Sequence, residues 1–206
     1  MFQIRIHGRG GQGVVTAAEV LSMAAFDSGR HAQAFPSFGS ERMGAPVVAF
    51  CRIDERPIRT REPVMEPDAL IVQDMTLIHQ VDLLAGLAPE AFVLLNTSQP
   101  LDALGLGDLC RRFQPDRLCT CPATDLALAH TGRPMPNAAL VAGFAALTGQ
   151  ISLVAVEHAL RQRFTGPTAE RNVAAADAAH HHVTQSVAEG ASATRPLADQ
   201  AHAATD

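Results

Sequence analysis

The residues Gly8-Arg9-Gly10-Gly11-Gln12-Gly13 set Gly8, Gly10 and Gly13 at the G-x-G-x-x-G spacing. Before them Phe2, Ile4 and Ile6 alternate with polar residues; after them Val14-Val15-Thr16-Ala17-Ala18 reads as the start of a helix. Glycines let the backbone turn tightly and approach a ligand closely, and the helix that follows directs its unpaired N–H groups and positive dipole end at the same spot. The chemistry on offer is a cradle for phosphate. The alternative is a glycine loop that only lets the helix pack against the sheet. The spacing fits dinucleotide binding, which also calls for an acid about twenty positions on to hold a ribose hydroxyl. Gln33, Ala34, Phe35 and Pro36 occupy that region, while the nearest acids, Asp27 and Glu41, fall in a helix and in a loop. This argues against a standard NAD site.

A second constellation is the segment Phe35-Pro36-Ser37-Phe38-Gly39-Ser40-Glu41-Arg42-Met43-Gly44-Ala45-Pro46. Two phenylalanines in a surface loop call for a partner surface, unless they plug the domain's own core. Glu41 and Arg42, side by side, could bridge to a partner or to a carboxylate or phosphate of a ligand. Asp74 and Asn96-Thr97-Ser98 end strand-like runs. Their ordinary uses there are capping and turn-making, with catalysis or ligand contact as the alternatives. Asn137, after Pro136, reads as a helix N-cap. His180-His181-His182 are consecutive on a helical run and cannot all reach one ion from one face, so no metal site is expected. The cysteines at 51, 110, 119 and 121 follow neither ferredoxin nor zinc-ribbon spacing and read as free thiols.

These residues need elements to position them. Strand signals cover Phe2–His7, His31–Phe35, Val47–Ile53, Ala69–Gln73, Phe92–Leu95 and Leu118–Cys121. Helix signals cover Val14–Ser28, Leu77–Leu87, a short stretch near Asp125–His130, Asn137–Leu147, Leu153–Phe164 after a Ser152 cap, and Thr168–Val187. Strands alternating with helices predict an α/β, Rossmann-like fold: a mostly parallel sheet flanked by helices, followed by C-terminal helices. Ligands gather at the carboxyl ends of such strands. Residues 1–187 read as one domain, and 188–206, rich in Ala, Ser, Thr, Asp and Gly, as a disordered tail.

The 206 residues are 47% hydrophobic, enough for a core. A net charge of -5, with neither Trp nor Tyr, gives no sign of nucleic-acid binding. No apolar run is long enough to span a membrane, and Met1 leads into a strand without a basic-then-apolar leader. A cytoplasmic location is expected.

Gly8–Gly13 with Val14-Val15-Thr16-Ala17-Ala18, taken together with Ser37–Pro46, resembles the gamma subunit of the 2-oxoacid:acceptor oxidoreductase family, which includes pyruvate and ketoisovalerate:ferredoxin oxidoreductases. The resemblance continues through Arg52-Ile53-Asp54, Pro57-Ile58, Pro67-Asp68, Asn96-Thr97, residues 137–149 and Asn172, and spans about residues 2–187. Met43 is a departure, standing where relatives often carry a second Arg.

The resemblance implies a subunit that is not active alone, in a complex that decarboxylates a 2-oxoacid oxidatively to acyl-CoA. Alpha- and beta-type partners would hold thiamine diphosphate and Mg2+, a delta-type partner [4Fe-4S] clusters, and ferredoxin or a flavoprotein would accept the electrons. This chain would handle coenzyme A and assist assembly. Under that reading Gly8, Gly10, Gly11, Gln12, Gly13 and Thr16 surround the coenzyme A pyrophosphate, Arg42 meets a phosphate or a subunit, and Phe35, Phe38 and Glu41 face a partner. The alternatives are a free-standing NAD(P)-binding oxidoreductase or a pure assembly scaffold.

Overall fold

The computed structural model describes residues 1–37 and 43–193. Phe38, Glu41 and Arg42 of the second loop, and residues 194–206, lie outside the described residues. The strands are β1 (Phe2–Arg9), β2 (His31–Pro36), β3 (Pro46–Asp54), β4 (Ala69–Val72), β5 (Phe92–Asn96) and β6 (Leu118–Cys121). The helices are α1 (Val14–Asp27), α2 (Gly107–Arg112), α3 (Ala123–Thr131), α4 (Asn137–Thr148), α5 (Leu153–Arg163) and α6 (Gly166–Ala193).

The strands form one sheet in the order β2-β3-β1-β4-β5-β6. β1, β4, β5 and β6 pair in parallel, whereas β3 runs antiparallel to both β1 and β2. The sheet is therefore mixed, with a single reversed strand, and the α/β expectation holds.

Side-chain alternation divides β1 between two cores. Ile4 and Ile6 face α1, α4, α5 and α6, in one large apolar cluster with Leu21, Leu140, Val156 and Leu160. Arg5 and His7, of opposite parity, face the segment after β4, beside a second cluster built on Leu70, Val72, Leu77 and Leu95. α4 carries small and apolar residues on nearly its whole circumference and is buried accordingly. Gly149 ends it in the left-handed conformation, and the Ser152 side chain caps α5 by accepting from the Ala155 N–H.

Three expectations need correction. Residues 77–87 do not form a helix: a short 3-10 helix, Met75–His79, is followed by turns. The buried Arg5 guanidinium donates to the carbonyls of Leu83 (3.0 Å) and Ala85 (2.6 Å), which a regular helix would have bonded to its own N–H groups. Asn137 is not a cap, because Pro136 takes that position and makes no side-chain cap bond; Asn137 lies inside the first turn. The last helix, expected over Thr168–Val187, spans Gly166–Ala193. α2, in the stretch between Ser98 and Leu118, was not anticipated.

Candidate functional site

β1 delivers the glycine loop to the carboxyl edge of the sheet, and α1 leaves from it. The loop bends because Gly11 (φ +93°) and Gly13 (φ +73°) adopt conformations that L side chains rarely enter. Gly8 serves packing: a Cβ there would lie 2.6 Å from Val14 Cγ2 and 3.1 Å from Gln73 Cβ, so strand and helix approach only because the side chain is missing. Part of the loop is therefore a packing device.

The donors divide the same way. The Gly10 N–H goes to the Ala45 carbonyl (2.9 Å) and the Gln12 N–H to the Arg9 carbonyl (3.0 Å). The Gln12 carboxamide is spent as well: Oε1 accepts from the Arg9 N–H (2.8 Å), and Nε2 donates to Asp74 Oδ2 (2.7 Å). The backbone donors of Gly10 and Gln12 are therefore engaged within the loop, and Gln12 keeps only the second hydrogen of its Nε2. Among the described residues the N–H groups of Gly11 and Gly13 have no partner, and those of Val14, Val15 and Thr16 form the unpaired first turn of α1. That turn has no side-chain cap and no acidic residue. It opens on a cleft of about 420 Å³ lined by Gly10, Gly11, Gly13, Val15, Thr16 and Met43 among others. The cleft thus presents backbone donors and a positive helix end, which suits a phosphoryl group.

Arg9 is a clamp rather than a free cation. Its guanidinium pairs with Asp74 Oδ2 (3.2 Å) and donates to Thr76 Oγ1 (2.6 Å) and to the Gly44 carbonyl (3.0 Å). This ties the second loop to the end of β4. Asp74 also caps the 3-10 helix, accepting the Thr76 N–H at 3.0 Å. Partial burial pushes its carboxyl pKa up, but hydrogen bonds from Thr76 and Gln12, with the Arg9 charge, outweigh burial and hold it below the ordinary value. An ionised, fully engaged Asp74 is a fastener and no proton carrier. Asn96 is a bracket: its amide donates to the Gln73 carbonyl and Thr124 Oγ1 (2.7 Å each), and its carbonyl accepts the Thr124 N–H (3.1 Å). It joins the ends of β4 and β5 to the start of α3.

Phe35 belongs to β2, not to the loop. It packs on Phe50 with ring centroids 5.3 Å apart, and the Arg52 guanidinium lies 5.2 Å from its ring centre. The remaining members of that expected group, Phe38, Glu41 and Arg42, fall outside the described residues. Met43 is 88% exposed and borders the cleft.

Two buried groups escaped the sequence reading. Gln73 is 2% exposed, and neither amide atom has a hydrogen-bond partner among the described residues. His7 is buried with Nε2 unpartnered. The alternation of β1, which puts His7 on the Arg5 face, was the available signal. Burial, with the nearby Arg5 charge, lowers the His7 pKa from 6.5 to about 4. The folded protein therefore keeps His7 neutral, while the unfolded chain binds a proton below about pH 6.5. This contribution is fully present above pH 6.5 and is lost as pH falls through the window toward 4, by about 3 kcal/mol in all. Urea midpoints measured across that window should fall more steeply for the wild type than for His7→Gln. Equal slopes would contradict the assignment.

Comparison with known proteins adds to this geometry. Residues 3–181 match the family model described as pyruvate ferredoxin/flavodoxin oxidoreductase. The chain is 45% identical over 176 residues to the pyruvate/ketoisovalerate oxidoreductases common subunit gamma of Pyrococcus abyssi, covering 85% of this chain and 94% of that one. It is 47% identical over 161 residues to the pyruvate synthase subunit PorC of Methanosarcina barkeri, covering 78% and 85% of the two chains. Among solved structures, the pyruvate oxidoreductase subunit PORC of Thermotoga maritima superposes with a TM-score of 0.73 at 31% identity, covering 87% of this chain and 95% of that one.

Proposed function

From its membership of the pyruvate ferredoxin/flavodoxin oxidoreductase family, to which this chain belongs as a gamma-type subunit, we propose that the glycine cleft receives the pyrophosphate of coenzyme A. The complex it serves is an oxidoreductase of 2-oxoacids, pyruvate and ketoisovalerate being those named for its relatives. In this reading alpha- and beta-type partners bind thiamine diphosphate and Mg2+, which supply the decarboxylation of the 2-oxoacid. A delta-type partner carries [4Fe-4S] clusters and passes electrons to ferredoxin or a flavoprotein. The acyl group leaves on coenzyme A, and the complex works in the cytoplasm. This chain binds and orients the carrier and completes the assembly, with Phe35 and the adjoining Phe38, Glu41 and Arg42 meeting a partner subunit.

The observation that carries the proposal is the uncapped, acid-free first turn of α1 opening on the cleft of about 420 Å³. The N–H groups of Gly11, Gly13, Val14, Val15 and Thr16 hold the pyrophosphate there. Gly8 and Gly10 shape the cleft, Gln12 braces it, and the Thr16 side chain lines it. A scaffold that binds no ligand has one point in its favour, namely that Gly10 and Gln12 spend their backbone donors internally.

Thr16→Asp separates the two. A carboxylate in the first turn favours the helix dipole and should leave stability unchanged or raised. The same carboxylate repels a pyrophosphate, so calorimetry on the assembled complex should find coenzyme A bound about 30-fold or more weakly, the equivalent of about 2 kcal/mol. Unchanged affinity would remove the cleft from coenzyme A binding.

A further inference from the structure

The contact between Gly13 and Asn137 joins two clefts. A Cβ on Gly13 would stand 2.7 Å from Asn137 Nδ2 and 3.4 Å from Met135 Cε. Met135 borders the cleft already described, and it also borders a second one of about 200 Å³. The second cleft is lined by Arg133, Asn137, Thr168, Arg171 and Asn172 among others.

Several independent features give this second cleft the chemistry of an anion site. α4 begins there, a helix of 12 residues with Pro136 at its cap position, no side-chain cap bond and no acid in its first turn. Its leading N–H groups and positive dipole end are therefore available. Asn137 is only 4% exposed, yet its carboxamide has no hydrogen-bond partner among the described residues. The small surface that Asn137 keeps is on the wall of this cleft, where its carboxamide is open to a ligand. Asn172, 7% exposed, donates from Nδ2 to the Thr168 carbonyl at 2.8 Å and keeps its place in the same wall. Arg133 and Arg171 come from the α3–α4 connection and from α6, and among the described residues neither guanidinium has an ion pair or a hydrogen bond. Two unpaired guanidinium groups beside an acid-free helix start give this cleft a positive lining in a chain of net charge -5.

We infer that the cleft at the start of α4 is a second subsite for the same ligand, taking a phosphate monoester set apart from the pyrophosphate held at α1. In coenzyme A that group is the 3′-phosphate. The monoester is recognised by the Arg133 and Arg171 guanidinium groups, the Asn137 carboxamide and the leading N–H groups of α4. The inference rests on the coenzyme A reading, and it adds a specificity: a carrier without the 3′-phosphate loses this contact and keeps the other.

The test is calorimetry on the assembled complex with coenzyme A and with 3′-dephospho-coenzyme A. The wild type should bind coenzyme A about 30-fold or more tightly than the dephospho form, as expected for charge-assisted contacts to a monoester. The exposed pair Arg133→Ala and Arg171→Ala, introduced together, should erase that preference. It should weaken coenzyme A by a similar factor and the dephospho form by less than about threefold. Equal weakening of both ligands, or a preference that survives the double substitution, overturns the subsite while leaving coenzyme A at α1 intact. Failure of the wild type to bind either form rejects the coenzyme A reading together with the subsite.

Discussion

Gly13→Ala is expected to destabilise the protein by about 3 kcal/mol, through a left-handed backbone penalty of about 1–2 kcal/mol and an overpacking cost of about 1–3 kcal/mol. Gly13 sits at φ 73°, ψ 34°, ahead of α1. Its missing side chain leaves the space that Asn137 Nδ2 occupies, 2.7 Å from where a Cβ would lie. Asn137 is held at the start of the buried α4 and cannot step aside freely. Gly132→Ala provides the reference. Gly132 has nearly the same φ, +72°, but nothing within 4 Å of its Cβ position, so only the backbone penalty applies. Differential scanning calorimetry should place the Gly13 variant about 10 °C below the wild type and the Gly132 variant only a few degrees below it. Asn137→Ala in the Gly13→Ala background should recover part of the loss. Equal shifts for the two glycines would remove the contact between the helix starts from the explanation, and with it the link between the two clefts.

Arg5→Met is the second large effect, expected to cost about 3 kcal/mol through three carbonyls that lose a charged donor. Methionine matches the length of the Arg5 stem, so the change is one of hydrogen bonding more than of volume. Arg5 is 7% exposed and donates to the carbonyls of Met65 (3.4 Å), Leu83 (3.0 Å) and Ala85 (2.6 Å). It fastens the turns after β4 to the sheet, and burial lowers its own pKa. Hydrogen exchange should accelerate through residues 80–87 in the variant before it does so in β1. The lost positive charge should also let the His7 pKa rise, while burial still holds it below 6.5. A loss under about 1 kcal/mol would mean that the carbonyls find other partners, and the anchoring role would be abandoned.

Much of this architecture was legible in the chain. The period-two pattern of Ile4 and Ile6 against Arg5 and His7 marks β1, and the near-continuous apolar run of α4 marks a buried helix. Ser152 and Asp74 cap through their side chains, as residues of their type and position should. The helix expected over 77–87 failed for a reason no local window contains. Its carbonyls belong to an arginine on β1, and a propensity argument counts only neighbours in sequence. Asn137 failed similarly, since a residue after proline at a helix start resembles a cap until the packing assigns its side chain to Gly13.

The class of fold, the strand–glycine–helix unit at the start and the family to which the chain belongs can all be read along the chain. Each of these rests on local periodicity, on backbone preference and on motifs contiguous in the chain. How the glycine loop is used depends on the packed fold. It spends the backbone donors of Gly10 and Gln12 on Ala45 and Arg9, ties the Gln12 carboxamide to Asp74, and leaves the N–H groups of Gly11, Gly13 and the first turn of α1. It also brought Arg133 and Asn137, at the start of α4, together with Arg171 of α6 at one cleft beside that turn. Which polar groups satisfy one another, and which are left for a ligand, is settled by contacts between residues distant in sequence, and those contacts exist only once the core has packed.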